Sequence, residues 1–289
     1  MKRVACVGEA MIELSLIGEN TQVSVAGDSL NTAIYLHRTA PKLRVDYITC
    51  LGCDPFSARI FDFISQHGLG TSQIQRISDG SPGLYGITTS SEGERSFTYW
   101  RNNSAARQLF LDCDFSVLEN YDAVYLSGIS MAILPHAVRL ALLEWLNGSA
   151  IELIFDSNFR PRLWESRQHS QEIISALWMR ADIALPSIDD EMDLFSETAD
   201  QVSTRFSSSA MAGALKRGEQ GPLSLGSEVF HDYYSAPNVV DTTAAGDSFN
   251  GGYLGALFSG KTQAEALIVG HNLASCLLYT SPSPRDEVL

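Results

Sequence analysis

An α/β fold, a doubly wound parallel sheet with a small β-sheet lid, is what this chain of 289 residues predicts. Strand-like apolar runs alternate with helical stretches of roughly ten to fifteen residues, the rhythm of β-α-β units. Residues 11–26 and 81–106 break that rhythm: they are strand-rich without crossover helices and predict an accessory sheet over one edge. With 45% hydrophobic and 19% charged residues the chain can bury a core, which excludes a disordered, collagen-like or coiled-coil protein. The expected organisation is a core of residues 1–10, 27–80 and 107–275 with a lid of residues 11–26 and 81–106.

Taken in order, residues 4–7 are an apolar run closed by Gly8, and residues 11–16 continue in extended style. Gly27-Asp28-Ser29 opens a helix, because Leu30, Ala33, Ile34 and His37 recur at spacings of three and four. Residues 46–51 read as a strand and residues 56–66 as a helix ending before Gly68. Ser91-Glu92-Gly93-Glu94 is a turn between residues 84–89 and 95–100, predicting a hairpin. Residues 123–126 form a strand before Ser127-Gly128, and residues 135–146 an amphipathic helix before Asn147-Gly148. Residues 151–155 and 183–185 are further strands, while Leu215 and residues 223–225 flank Lys216-Arg217-Gly218 as strand–turn–strand. Two helices follow, over residues 246–257 and 263–275.

Lys and Arg total 20 against 34 Asp and Glu, a net charge of −14. Such a field repels phosphate backbones and anionic membranes, so neither nucleic acid nor membrane is expected as a partner. Small anions can still bind where local donors hold them. No run approaches the ~18 apolar residues of a membrane span, and Met1-Lys2-Arg3 with its short apolar run reads as a first strand, not a leader. Five scattered cysteines argue against a disulfide framework and for a cytoplasmic setting. Cys50 and Cys53 fit C-x-x-C, but one pair supplies two ligands where structural zinc takes four. They read as small residues at a strand end.

The sharpest chemical feature is Asp241-Thr242-Thr243-Ala244-Ala245-Gly246-Asp247-Ser248-Phe249, a turn of small residues leading into a helix. A helix start carries unpaired N–H groups and a partial positive charge, and the small side chains of Ala244, Ala245 and Gly246 let an anion approach them. Asp247 stands where an incoming hydroxyl would meet a phosphoryl group, as a base. Plain helix capping by Asp247 is the alternative. A second pattern, from Gly255 to Gly260-Lys261-Thr262, fits the phosphate-binding loop G-x-x-x-x-G-K-[ST]. That loop needs a strand before it. Residues 249–258 instead read as continuous helix, with Gly260 as its stop and Thr262 as the next start.

The string D-T-T-A-A-G-D-S-F resembles the C-terminal signature of the ribokinase-like (PfkB) carbohydrate kinases, and residues 26–33, A-G-D-S-L-N-T-A, resemble that family's sugar-binding helix start. Residues 82–85, 97–102, 126–130 and 155–164 (Phe-Asp-Ser-Asn-Phe-Arg-Pro-Arg-Leu-Trp) are similar to its 2-keto-3-deoxygluconate kinase branch. The likeness covers about residues 2–275 and implies a ribokinase-like, Rossmann-type core with a lid, ATP with Mg²⁺, and phosphorylation of a terminal sugar hydroxyl. Asp247 would be the general base, and Ala244, Ala245 and Gly246 would complete the anion hole. Phosphoryl transfer asks mostly for positioning and charge stabilisation. Gly27, Asp28 and Asn31 would hold sugar hydroxyls. Tyr85 and Tyr99 would shape the pocket, and Arg101 and Arg160 would grip a carboxylate, since a guanidinium matches one as a planar fork. An ordinary lid face is the other reading of Tyr99 and Arg101. Arg162 reads as structural.

Lys216, Arg217, Gly218 and Gly221 resemble the family's nucleotide loop, a solvated basic turn being the alternative. Asn158 and Ser187 are further nucleotide-side candidates. Ser187 and Asp190 stand where the wider family has Asn-x-x-Glu, making Asp190 a candidate for metal. Asp241 is another, at a position linked to a monovalent cation in some relatives. The resemblance thus implies a sugar acid and ATP as small-molecule partners, and a homo-oligomer through the lid. A kinase of a neutral sugar such as fructose or ribose, and a non-catalytic sugar-acid binding protein, stay open. Residues 276–286, C-L-L-Y-T-S-P-S-P-R-D, match codon for codon the translation of a common transposase sequencing adapter, and Ser-Pro-Ser-Pro cannot continue a helix. Residues 276–289 are therefore expected to be foreign to the natural protein.

Overall fold

A computed structural model describes residues 1–17, 20–89, 95–209, 211–234 and 244–280. The chain enters through β1 (Arg3–Val7) and passes into an antiparallel pair, β2 (Met11–Ile17) and β3 (Asn20–Ala26). Then come α1 (Asp28–Thr39), β4 (Arg44–Ile48), β5 (Cys50–Leu51), α2 (Pro55–Gln66) and β6 (Gln75–Arg76). The hairpin β7 (Gly83–Thr89) and β8 (Arg95–Trp100) pairs Tyr85 with Tyr99; its turn lies outside the described residues. Next are β9 (Ala123–Ser127), α3 (Gly128–Ala132), α4 (His136–Gly148), β10 (Glu152–Asp156) and α5 (Arg167–Arg180). The described residues end with β11 (Ile183–Ala184), α6 (Ile188–Phe195), α7 (Ala199–Ser207), β12 (Ala212–Leu215), β13 (Leu223–Leu225), α8 (Ala245–Phe258) and α9 (Gln263–Thr280).

Among the described residues the main sheet runs β13-β12-β11-β10-β9-β1-β4, parallel throughout except the edge pair β12–β13. Alternate side chains point to opposite faces of a strand, and β1 shows the consequence. Val4 and Cys6 join a core with Leu30, Ile34, Phe63 and Tyr253 of α1, α2 and α8, while Ala5 and Val7 join Leu142, Ile174 and Phe206 of α4, α5 and α7. Helices therefore cover both faces. The second sheet, β3-β2-β7-β8, stands beside the first. Strand order reverses at β1, between β4 and β9, and the carboxyl ends of strands at such a switch point form the usual ligand crevice of open α/β sheets.

Close packing fixes α8 over that crevice. A Cβ on Gly251 would stand 2.4 Å from the Cβ of Tyr35 in α1, so only glycine lets the two helices approach. Four helices, α3 and α5 to α7, were not predicted. The apolar stripe of α5, with Ile173, Ile174 and Leu177 buried, is thin among Gln, His, Ser and Arg. The expected strand over residues 46–51 divides at Thr49, because Cys50 and Leu51 pair with Gln75 and Arg76 instead of the main sheet. The last helix, expected to stop at residue 275, continues to Thr280: Leu277 and Leu278 favour helix, and the block at Pro282 comes only afterwards. Residues 281–289 lie outside the described ones. No helix among the described residues is long and apolar enough to cross a membrane.

Candidate active site

Two helix heads meet at the carboxyl edge of the main sheet. Gly27 precedes α1 where a Cβ would stand 2.5 Å from the carbonyl oxygen of Glu9, so no larger residue fits. Asp28 opens the helix, and its Oδ2 accepts from Ser127 Oγ at 2.5 Å and from Asn158 Nδ2 at 2.9 Å. One turn on, Asn31 Nδ2 donates to Oδ2 of Asp247 at 3.0 Å, and Thr32 Oγ1 donates to the Asp247 carbonyl at 3.4 Å. These bonds join α1 to the start of α8.

Ala244 caps α8 in the left-handed region, at φ 63° and ψ 7°. For a residue other than glycine that conformation costs roughly 1–3 kcal/mol and is typical of functional sites. Ser248 N donates to the Ala244 carbonyl at 2.9 Å as the first intrahelical bond, leaving the amides of Ala245, Gly246 and Asp247 without a helical acceptor. Gly246 is exposed and its neighbours half-buried. Burial raises the Asp247 pKa well above the usual carboxylate range. The nearby Asp28 carboxylate raises it further, against the lowering effect of the Asn31 bond.

Every site residue predicted from sequence, apart from Asp241, lines one cleft of about 1510 Å³; Asp241 lies outside the described residues. On the lid side, the Tyr85 hydroxyl donates to Glu13, and the ring stacks on Tyr99 with centroids 5.6 Å apart. Both arginines assigned to a carboxylate reach the cleft, yet each already has an acidic partner. Arg101 is buried, and its Nε and Nη2 donate to Glu9 Oε2, the former at 2.8 Å. Arg160 is exposed; its Nη1 donates to the Phe159 carbonyl at 2.7 Å and to Asp190 Oδ1 at 3.2 Å. Arg162, expected to be structural, is exposed on the cleft as well. Asn158, expected on the nucleotide side, has its amide nitrogen committed to Asp28.

Lys216 points its ammonium at the head of α8: a Cβ on Gly246 would lie 3.8 Å from Nζ. It donates to Asp156 Oδ2 at 2.7 Å and to Asn250 Oδ1 at 3.2 Å. Asp156 is buried and accepts also from Asn250 Nδ2 at 2.6 Å and from the backbone N–H of Asn158 at 3.1 Å. A cation beside the positive end of a helix is unfavourable unless an anion shares the space, and here Asp156 supplies one. The following loop turns through Gly218 (φ 56°) and Gly221 (φ 72°), both left-handed, and Arg217 Nε closes it on the Gly221 carbonyl at 3.1 Å. Ser187 bridges to Lys216 at the start of α6.

Burial raises the pKa of Asp190, which Arg160 lowers and Asp156 raises again. Among the described residues no group of three His, Cys, Asp or Glu side chains is arranged to hold a metal. Cys50 and Cys53 are free thiols. The G-x-x-x-x-G-K-T stretch is no phosphate loop: Gly255 lies within α8 and Gly260 follows its end at φ 84°. Thr262 Oγ1 accepts from the Glu265 amide at 3.3 Å while Glu265 accepts from the Thr262 amide at 2.9 Å, a reciprocal cap for α9. Glu9, Asp156 and Asn250 are the site residues sequence reasoning missed. The first two stand at the carboxyl ends of parallel strands, a placement that marks them only once the strand order is known.

Comparison with known proteins agrees with this architecture. A 2-dehydro-3-deoxygluconokinase of Dickeya dadantii (strain 3937) is 40% identical over 295 aligned residues, covering 96% of this chain and 94% of the relative. The enzyme of the same name from Escherichia coli (strain K12) is 38% identical, covering 96% and 95%. Among solved structures, a fructokinase of Vibrio cholerae O395 with fructose, ADP and calcium ion bound superposes with a TM-score of 0.81 at 19% identity, covering 98% of this chain and 95% of that one. An aminoimidazole riboside kinase of Salmonella enterica, complexed with aminoimidazole riboside and an ATP analogue, gives 0.80 at 21%, with the same coverage. Residues 1–283 match the family described as pfkB family carbohydrate kinase. With its doubly wound sheet, its smaller second sheet and the helix head from Ala244 to Asp247, the chain belongs to the pfkB family of carbohydrate kinases.

Proposed function

We propose that this protein transfers the γ-phosphoryl group of ATP to the terminal hydroxyl of 2-keto-3-deoxygluconate, giving the 6-phosphate and ADP. The observation that carries the reading is one cleft holding a helix head whose first amides have no helical acceptor, a carboxylate on that head, and guanidinium groups from the lid and the core. The names of the relatives at 35–40% identity support the substrate.

In this reading Asp28 and Asn31 hold sugar hydroxyls, while Arg101 and Arg160 engage the substrate carboxylate. Asp247 accepts the proton of the terminal hydroxyl as the new O–P bond forms and the bond to the leaving ADP oxygen breaks. The amides of Ala245, Gly246 and Asp247 meet charge on the transferred group, and Lys216 adds a cation beside them. Nucleotide contacts fall to the loop of residues 216–221 and to Ser187. Mg²⁺ on the nucleotide would neutralise phosphate charge. Such an ion keeps several waters and takes one or two protein carboxylates, which suits a cleft where Asp190 is the carboxylate to hold it. A cytoplasmic setting and an oligomer joined through the lid belong to the same reading. Free thiols support the first, and exposed Trp100 on the lid supports the second.

ADP release across a sugar panel tests the substrate. Charged hydrogen bonds contribute roughly 1.5–3 kcal/mol each, so kcat/KM for 2-keto-3-deoxygluconate is expected to exceed that for fructose or ribose by about 100-fold or more. Equal or better use of a neutral sugar would overturn the assignment.

A further inference from the structure

Glu9 stands where the lid joins the core, and each of the four lid strands comes to it. It lies between β1 and the start of β2 at Met11. Its carbonyl faces Gly27 at the end of β3, where a Cβ would come within 2.5 Å. Its Oε1 lies 2.5 Å from where a Cβ of Gly83 would sit, at the start of β7. Its Oε2 receives both Nε and Nη2 of Arg101, the residue after β8. The carboxylate is 1% exposed, and Oε1 has no hydrogen-bond partner among the described residues.

A buried carboxylate with one unpaired oxygen is a costly way to fill space. What it secures is the attitude of Arg101. Glu9 occupies the inner edge of the guanidinium, Nε and the near side of Nη2, so the outer edge with Nη1 is left to the cleft that Arg101 lines. Among the described residues Nη1 has no protein partner. An arginine with one edge fixed presents the other with little orientational freedom to lose on binding, and such preorganisation strengthens recognition of a planar anion.

We infer that Glu9 is a positioning residue that sets affinity for the acid group of the substrate by holding Arg101 across the junction of core and lid. This rests on the functional reading above, in which Arg101 meets the substrate carboxylate. It adds that the affinity of that contact is decided by a residue that does not itself touch the substrate.

The test is a double-mutant cycle of Glu9→Gln and Arg101→Ala, reading KM for 2-keto-3-deoxygluconate, KM for ATP and thermal unfolding. In the wild-type background Glu9→Gln is expected to raise KM for the sugar acid about tenfold and to move KM for ATP less than twofold. With Arg101→Ala present, adding Glu9→Gln is expected to leave KM for the acid unchanged, because the group it positions is gone. Where Arg101→Ala does not fold, Arg101→Gln, which removes the guanidinium but keeps a polar side chain, takes its place; where Glu9→Gln does not fold, Glu9→Asp takes its place. An unaltered KM in the single Glu9 variant overturns the inference, as does an equal rise with and without Arg101 or a parallel rise for ATP, which mark a structural role. Wild-type protein that phosphorylates only neutral sugars overturns the functional reading itself, an outcome seen before any variant is made.

Discussion

Asp247→Asn is expected to lower kcat by roughly 10³-fold while the protein keeps its fold and binds both substrates. General bases contribute about 10²–10⁴-fold, and the replacement keeps the shape of a side chain that sits half-buried against Asn31. Asparagine can still accept from Asn31 but cannot take a proton from the sugar hydroxyl. The amides of Ala245 and Gly246 remain, so residual turnover above the uncatalysed rate is part of the expectation. Steady-state ADP release, with circular dichroism to confirm folding, checks it. Since burial and Asp28 together disfavour the charged form of Asp247, removing its ionisable group is expected to leave stability nearly unchanged or slightly improved.

Arg101→Ala is the second large change, and two effects separate in it. Binding of the sugar acid loses a charged contact worth roughly 1.5–3 kcal/mol, which is about a 10- to 100-fold rise in KM, with KM for ATP little altered. Stability falls too, because the Glu9 carboxylate is left buried without its counter-ion; breaking such a pair costs about 3–5 kcal/mol. Combining it with Glu9→Gln removes the stranded charge, so denaturant unfolding of the double variant should recover most of the lost stability while KM for the acid stays high. A single arginine thus acts on two readouts, and only one of them is rescued.

These residues were legible in the sequence to unequal degrees. The turn before Asp247 carries its meaning locally, since small residues, a helix start and an acid follow one another within nine positions. Gly27 and Asp28 are similar, and Tyr85 and Tyr99 were placed together by the hairpin that pairs them. Arg101 was recognisable as a lid arginine, but its partner was not, because Glu9 lies 92 residues away and reads there as one acid between two strands. Asp156 and Asn250 are 94 residues apart and meet only after the sheet brings the end of β10 beneath α8. Spacing along the chain carries no trace of such pairs. The rule that did apply, carboxylates at the carboxyl ends of parallel strands, needs the strand order, and that emerges only from the fold. Helices α5 to α7 escaped for a different reason: polar residues interrupt their apolar stripes, so tertiary packing more than periodicity defines them.

The pH dependence of kcat/KM reports the ionisation of the free enzyme's base and bears most directly on the role of Asp247. A base must be deprotonated to act, so activity should rise with pH along an acid limb whose midpoint is the pKa of that carboxyl. Burial and the Asp28 carboxylate place this midpoint well above the ordinary aspartate value of about 3.9. Asp28→Asn removes one of those causes and is expected to move the limb to lower pH. A limb that stays in the ordinary aspartate range, or one that Asp28→Asn leaves where it was, would contradict the assignment of Asp247 as the proton acceptor.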